Sequence, residues 1–317
     1  MESYLKQLFY LIVFPGFIFL SVFGLVAEFI DRKLYARFQN RMGPPWFQPL
    51  ADTLKLFGKE EIVPKDADNA MFKLMPAFAL ASTVTAIFYI PIWSNKAIYS
   101  FEGDIIVILY LLTIPTMTFF LGGWFSGSLY SMIGAVRALT QLFAYEVPLF
   151  LAVLSPALLA NTWNLSKMTE FYTQPEHQFY WVFNLLGFFV ALIAILGKLE
   201  KVPFDIPDAE TEIVGGTFTE YTGRLYAFFR ITMDVELVVC SSLIAAVFIP
   251  FWSNLTPLLV FVIYIIKVLF VITLLALLRT IFARLRIDQM VNFCWKYLAP
   301  LSFVQLIISL IMKGVLS

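Results

Sequence analysis

Eight apolar stretches dominate this chain, at 8–30, 72–93, 105–126, 138–160, 179–196, 226–250, 256–278 and 298–315. Each is close to the ~20 residues a helix needs to cross the hydrocarbon core of a bilayer. In hydrocarbon every backbone N–H and C=O has to be satisfied within its own segment, so such stretches fold as helices. The expected class is an all-α polytopic membrane protein, a single membrane domain over residues 1–317 with about eight transmembrane helices. Charged residues make up only 14% of the 317, against about 25% in soluble globular proteins. Pro15, Pro115, Pro148 and Pro156 fall inside or at the ends of spans and read as kinks. The N-terminus has no basic n-region and no small-residue cleavage site, so no cleavable signal peptide is expected.

The connections alternate sharply in basic residues. The odd-numbered loops hold fifteen, while the even-numbered loops and the termini hold only Lys6, Lys96, Lys167 and Lys313. The positive-inside rule then puts both termini outside and the odd loops in the cytoplasm. Two cytoplasmic loops stand out. In the long one, 31–71, Trp46, Phe47, Leu50, Leu54 and Phe57 recur near helical spacing around Asp52, Lys55 and Lys59, with Pro49 suited to a first turn. That pattern predicts an amphipathic helix lying in the interface, or a docking helix for a soluble partner. The other, 197–225, carries Glu200, Asp205, Asp208, Glu210, Glu212 and Glu220 with Lys198, Lys201 and Arg224. So much charge beside a bilayer marks either a solvated loop or a proton or ion path.

Several functions are disfavoured by composition. Net charge is zero, which gives no electrostatic footprint for nucleic acid. Two isolated cysteines, Cys240 and Cys294, and one histidine, His177 in a polar loop, cannot build a thiolate cluster site or a paired-histidine haem site. No cofactor is expected in this chain, and any electrons would be carried by other subunits.

The spans themselves hold ionisable groups, which are costly there unless paired, protonated or wet. Glu28 lies near the inner end of the first span and Glu146 well inside the fourth. Arg137, Gln141 and Tyr145 form one stripe at i, i+4, i+8, with Glu146 about 180° from Arg137. Interhelical packing bonds are one reading of that stripe and function is the other. In the sixth span Arg230 and Asp234 are i, i+4 and can neutralise one another. Glu236 points some 200° from Asp234 and needs a different partner, for which Lys267 in the seventh span is the candidate. Glu28, Glu146, Asp234, Glu236 and Lys267, with the acidic loop, would form a wet polar line suited to proton relay. A sodium path stays open as an alternative.

Three stretches carry a resemblance. They are Asp31-Arg32-Lys33 with Arg41-Met42-Gly43-Pro44 and the run Gln48 to Glu60; Arg137-Ala138-Leu139-Thr140-Gln141 with Tyr145-Glu146; and Val202-Pro203-Phe204-Asp205 with Glu210 to Gly216 and Glu220-Tyr221. Together, in order over nearly the whole chain, they resemble the subunit of respiratory complex I that joins its peripheral arm to its membrane arm. That superfamily is shared with membrane-bound energy-converting hydrogenases. The resemblance implies that the first and third stretches pack against soluble electron-transfer subunits. It implies coupling or interface roles for Arg41, Asp52, Lys55, Arg137, Gln141 and Tyr145, and path roles for Glu146, Asp205, Glu210, Glu212 and Glu220. Quinone-reducing members have Glu-Arg-Lys after the first span, a longer insertion before Gln-Pro, and Glu-Thr-Asn-Arg before Ala-Pro-Phe-Asp. This chain has Asp31-Arg32-Lys33, only Pro45-Trp46-Phe47, and Lys198-Leu199-Glu200-Lys201 before Val202. These departures remove parts that rim the quinone site and fit the [NiFe] hydrogenase branch or its sulfur-reducing relative.

The expected function is therefore a membrane-anchor and energy-coupling subunit of a ferredoxin-linked hydrogen-evolving or sulfur-reducing complex, moving H⁺ or Na⁺. The implied partners are soluble iron–sulfur and large catalytic subunits, antiporter-like membrane subunits and the bilayer of a prokaryotic plasma membrane. Iron–sulfur clusters, with nickel–iron in the hydrogenase branch, would reside in those partners. The alternatives are a quinone-binding complex I subunit, a stand-alone ion-coupled transporter, and a purely structural anchor.

Overall fold

The computed structural model describes residues 2–250 and 255–316, the side chains of Glu2, Ser3, Gln178, Glu210, Thr211 and Leu316 excepted. The described residues form thirteen α-helices and no strand: α1 Glu2–Ile12, α2 Phe17–Phe38, α3 Gln48–Phe57, α4 Asn69–Ala86, α5 Asp104–Trp124, α6 Leu129–Ala160, α7 Leu165–Thr173, α8 Leu185–Lys198, α9 Glu210–Ile213, α10 Gly223–Phe248, α11 Pro257–Ile281, α12 Ile287–Phe293 and α13 Ala299–Leu316. Among them are eight helical stretches long and apolar enough to cross a membrane, the number expected. The first is α1 and α2 together. The last joins α12 to α13 through a π-helical turn at Cys294–Leu298.

Several spans overrun their expected ends, and two of them take in charged motif residues. Helix α2 continues to Phe38, so Asp31, Arg32 and Lys33 stand on the helix and not in the loop. Helix α6 begins at Leu129 and takes in Arg137. In both cases partners on other elements neutralise the charge, which apolar-run reading along one segment does not register.

The connections sort into two ends of the bundle. At one end the Asp68 N–H donates to Phe125 O (3.1 Å), the Ile62 N–H to Thr222 Oγ1 (3.3 Å), and Arg284 pairs with Asp205 (2.9 Å). At the other, Asn164 Nδ2 donates to Ser100 Oγ (2.9 Å) and Lys313 Nζ to Asn161 Oδ1 (2.7 Å). The loops rich in basic residues thus share one end. His177, expected in solvent, is half-buried and stacks on Phe171 at 4.3 Å.

Helix α10 is the axis of the fold, packed by α2, α4, α8 and α11 and buried along almost its whole length. Prolines are accommodated as membrane helices require. Pro76 has no N–H for the carbonyl of Phe72, and Tyr221 Oη donates to that carbonyl at 3.1 Å while its ring stacks on Phe72 at 4.0 Å. Pro156 likewise leaves the carbonyl of Ala152 open, and Ser155 Oγ donates to it at 3.0 Å. Tyr221 closes the acidic segment, so its bond also ties that segment to α4. Glycine ties it to α6: a Cβ on Gly134 would lie 2.6 Å from the Gly216 carbonyl carbon, and Gly216 itself sits at φ +54°. Helix α3 has Pro49 in its first turn and buries Pro49 and Thr53, leaving Trp46, Leu50 and Leu54 exposed. That is the amphipathic helix expected in the first loop.

Candidate functional site

The acidic segment lies over a polar chamber of about 360 Å³ between α2, α8, α10 and the end of α11. Six carboxylates line it: Glu28, Glu200, Asp205, Asp208, Asp234 and Glu236. Six cations face them: Arg32, Lys198, Lys201, Arg230, Arg279 and Arg284. Charges of one sign would repel in so confined a space; alternation lets most of them be held by a neighbour of opposite sign.

Three groupings result. Glu28, from α2, accepts from Arg32 (2.7 Å), Arg230 (2.9 Å) and Lys201 (3.3 Å). Asp31, one turn on and 1% exposed, takes Lys201 at 2.6 Å and Arg279. Lys201 thus bridges two acids of α2 to the acidic segment. Arg32 also reaches Asp52 of α3 (3.3 Å), which Gln48 holds at 2.8 Å. The expected Arg230–Asp234 pair is present but long, 3.9 Å, because Glu28 lies nearer the guanidinium.

The second grouping is fully buried. Lys198, the last residue of α8, pairs with Glu236 at 2.9 Å and donates to the carbonyl of Leu112, in the turn that Pro115 disrupts. The expected Lys267–Glu236 pair is therefore corrected: Lys198 is the partner of Glu236, and Lys267 lies toward the opposite end beside Asn95, Ser242 and Tyr264. Lys198 reads in the sequence as a loop charge, since Glu200 and Lys201 follow it. In the fold it is the last residue of α8 and is buried, with Gly197 before it packed closely on Tyr145.

The third is an unsatisfied acid. Glu200 sits at φ +51°, a conformation L-residues rarely adopt. Both its carboxylate oxygens are buried without a hydrogen-bond partner among the described residues. Burial, reinforced by the charges of Asp208 and Glu236, holds its carboxyl well above the usual carboxylate range. Burial of this kind favours the protonated, uncharged form of a carboxyl.

Other expected residues frame the chamber. Gln141 Nε2 donates to the carbonyls of Gly197 (2.7 Å) and Phe204 (2.8 Å), pinning the acidic segment to α8. Tyr145 Oη shares a hydrogen bond with Thr116 (3.1 Å). Arg137 meets Glu212 at 2.6 Å in a second cleft of about 330 Å³, also lined by Asp205, Arg284 and Arg286. Asp205 and Arg284 are shared by chamber and cleft, so their ion pair stands between the two.

The structure does not gather all the expected residues. Glu146 is half-buried on α6 and does not line the chamber. Arg41 and Lys55 are exposed, and Glu220 is half-buried outside the chamber. The side chain of Glu210 lies outside the described residues. Conversely Asp31, Lys198, Lys201, Arg279 and Arg284 belong to the site, although the sequence offers them only as motif or loop charges, and Arg230, expected to pair with Asp234, serves Glu28 as well. The signal available for them was the pairing each buried acid requires. Among the described residues no group of three or more His, Cys, Asp or Glu is arranged to hold a metal.

Comparisons with known proteins add a family. Residues 10–310 match the NADH dehydrogenase family. An NADH-quinone oxidoreductase subunit from Dehalococcoides mccartyi is 33% identical over 315 residues, covering 97% of this chain and 87% of the relative. NADH-quinone oxidoreductase subunit 8 of Thermus thermophilus is 34% identical over 308 residues, covering 92% and 84%. A chain of the membrane-bound sulfane sulfur reductase, an archaeal respiratory membrane complex, superposes with a TM-score of 0.82 at 26% identity, covering 98% of this chain and all of that one.

Proposed function

We propose that this chain, which belongs to the NADH dehydrogenase family and is a multi-pass membrane subunit of a complex I-like respiratory assembly, uses its charged chamber to convert electron transfer in docked soluble subunits into ion movement. The observation that carries this reading is Glu200, a buried carboxyl with no hydrogen-bond partner among the described residues, inside a chamber where Glu28, Asp205, Asp234 and Glu236 are ion-paired. Adding an electron to a centre docked over the acidic segment raises the proton affinity of nearby carboxylates, and removing it lowers that affinity. Glu200 takes up and releases the proton. Lys201 and Arg230, each shared between acids, redistribute the compensating charge, and the Asp205–Arg284 pair admits protons from the outer cleft. The end bearing the basic loops faces the cytoplasm of a prokaryotic cell. There it docks iron–sulfur and large catalytic subunits, while antiporter-like subunits adjoin the spans.

The shortened Pro45-Trp46-Phe47 segment and the Lys198-Leu199-Glu200-Lys201 lead-in to Val202 favour a ferredoxin-linked hydrogen-evolving or sulfur-reducing complex. The relatives named as NADH-quinone oxidoreductase subunits favour a quinone-reducing one, and the two readings separate on nickel content and on competition by a quinone analogue. Coupling is tested in sealed vesicles of the intact complex. With Glu200→Gln, proton uptake linked to turnover falls while electron transfer within the soluble subunits persists. Unchanged uptake would overturn the coupling role.

A further inference from the structure

Helix α3 presents three sides of different character. Pro49 and Thr53 are buried where it packs on α2 and α10. Leu50, Leu54 and Phe57 run along a second side, Leu50 and Leu54 exposed and Phe57 with one edge against Phe228. Trp46, 74% exposed, precedes them. At 100° per residue this apolar side is turned about 90° from the buried one, and Gln48, Asp52 and Lys55 fall about 160° from it. A helix so divided suits the corner where protein, hydrocarbon and water meet.

Charge narrows what the apolar side meets. Arg37 and Arg41 precede α3, Lys55 lies on it and Lys59 just past it; all four are exposed, and none belongs to an ion pair among the described residues. The acids nearby are mostly engaged. Asp52 holds Arg32, Glu61 pairs with Lys73 at 3.4 Å, and Asp68 accepts from the first N–H groups of α4. Glu60 and Asp66 are left to offset four cations. An apolar stripe rimmed by unpaired cations, just where a span ends, complements a leaflet with anionic headgroups over hydrocarbon.

We infer that α3 lies on the leaflet at the side of the charged chamber and selects anionic phospholipids there. Leu50, Leu54 and Trp46 enter the acyl boundary, and Arg37, Arg41, Lys55 and Lys59 stay at the level of the phosphates. The spans before and after α3 present exposed apolar stripes of their own, Val22 and Val26 on α2 and Leu74 and Phe78 on α4, so the medium beside them is lipid chains. A soluble subunit approaches from the water, where α3 offers Gln48 and Asp52 instead. Trp46 suits the interfacial level, where indoles concentrate. Asp52 also ties α3 to Arg32, and Arg32 holds Glu28, so the leaflet bears on the rim of the chamber.

The test follows amide hydrogen exchange of residues 48–57 by mass spectrometry. It uses the intact complex in nanodiscs of dioleoylphosphatidylcholine, alone or doped with dioleoylphosphatidylglycerol. Phosphatidylglycerol slows exchange of the α3 amides in the native complex. Lys55→Gln reduces that slowing by about fivefold, the effect of one cation at an anionic surface, and Lys55→Arg keeps it. Lys59→Gln gives a like reduction, so the site stays testable if Lys55→Gln fails to assemble. Leu54→Asn speeds exchange in both lipids. Equal exchange of the native complex in the two lipids would overturn the inference, as would an unchanged difference in both glutamine variants. Protection in phosphatidylglycerol that vanishes when the soluble subunits are stripped would also overturn it, by placing a soluble subunit on this side of α3.

Discussion

The two halves of α10 meet the cost of burial in opposite ways. The half next to the acidic segment carries Arg230, Asp234 and Glu236; the half from Cys240 to Phe248 has only Ser241 and Ser242 as side-chain hydroxyls. In the far half, Ser242 donates to the carbonyl of Val238 one turn back (2.7 Å) and meets Tyr264 Oη at 2.7 Å. The Ser242 hydroxyl is satisfied by its own helix with one cross-helix contact, while that of Ser241 is buried with no hydrogen-bond partner among the described residues. In the charged half the local solution is incomplete, since the one pair within the helix, Arg230–Asp234, is long at 3.9 Å. Glu236 relies on Lys198 of α8, and Arg230 on Glu28 of α2 as well as on Asp234. Charge inside the bundle therefore obliges several elements to hold one geometry, which a neutral segment does not. A device that must respond to a distant charge needs that kind of shared constraint.

Breaking the charged half is expected to have the largest effect. Lys198→Met leaves Glu236 buried and unpaired, at a cost of about 3–5 kcal/mol, read as a loss of thermal stability of the purified complex. Lys198→Met with Glu236→Leu recovers most of it, because removing both members of a buried pair is often near neutral. If the double variant is no more stable than the single, Glu236 is not held by Lys198 alone.

Glu200 should respond with the opposite sign. Its folded-state affinity for a proton is raised, so its contribution to stability is full below its unfolded pKa, about 4.3. That contribution is lost as pH rises toward the folded value. Glu200→Gln removes the loss: the variant is more stable than the native protein at neutral pH and shows a flatter stability profile above about pH 4.3. Thermal midpoints across a pH series measure this, and a native profile that rises with pH in that window contradicts it.

Breaking the neutral half should cost less. Ser242→Ala removes one partner of Tyr264 and costs about 1–2 kcal/mol, with no change in coupled proton uptake. A coupling defect in Ser242→Ala would erase the contrast between the halves. Smallest of all is the exposed Lys167–Glu102 pair: Lys167→Ala should change stability by no more than about 1 kcal/mol, and a larger loss would show that surface charge at this end is structural.

Much of this was legible in the sequence. The spans were, because bilayer thickness converts an apolar run directly into an element. So was the sorting of basic loops to one end, which the contacts among loops bear out. The i, i+4 relation of Arg230 and Asp234 was readable because both lie on one helix. The partner of Glu236 was not. Lys267 lies within an apolar span and Lys198 reads as a loop charge, so the sequence favours Lys267, and only packing shows that Lys198 turns inward to Glu236. Glu146 and Glu236 look alike as lone acids in spans, yet one is half-buried on α6 and the other enclosed with a lysine.

By itself the amino-acid sequence determined that this protein spans a membrane about eight times as helices, carries a highly charged segment between two spans, and belongs with complex I-type membrane subunits. Those properties are local: each follows from residues within one segment or motif. The tertiary structure alone decided which charges meet, that Glu200 is left without a hydrogen-bond partner among the described residues, and that Lys267 stands apart from the chamber. The physical reason is that ion pairing acts over a few ångströms between different helices. A change in how two helices are rotated exchanges one partner for another without altering any single segment.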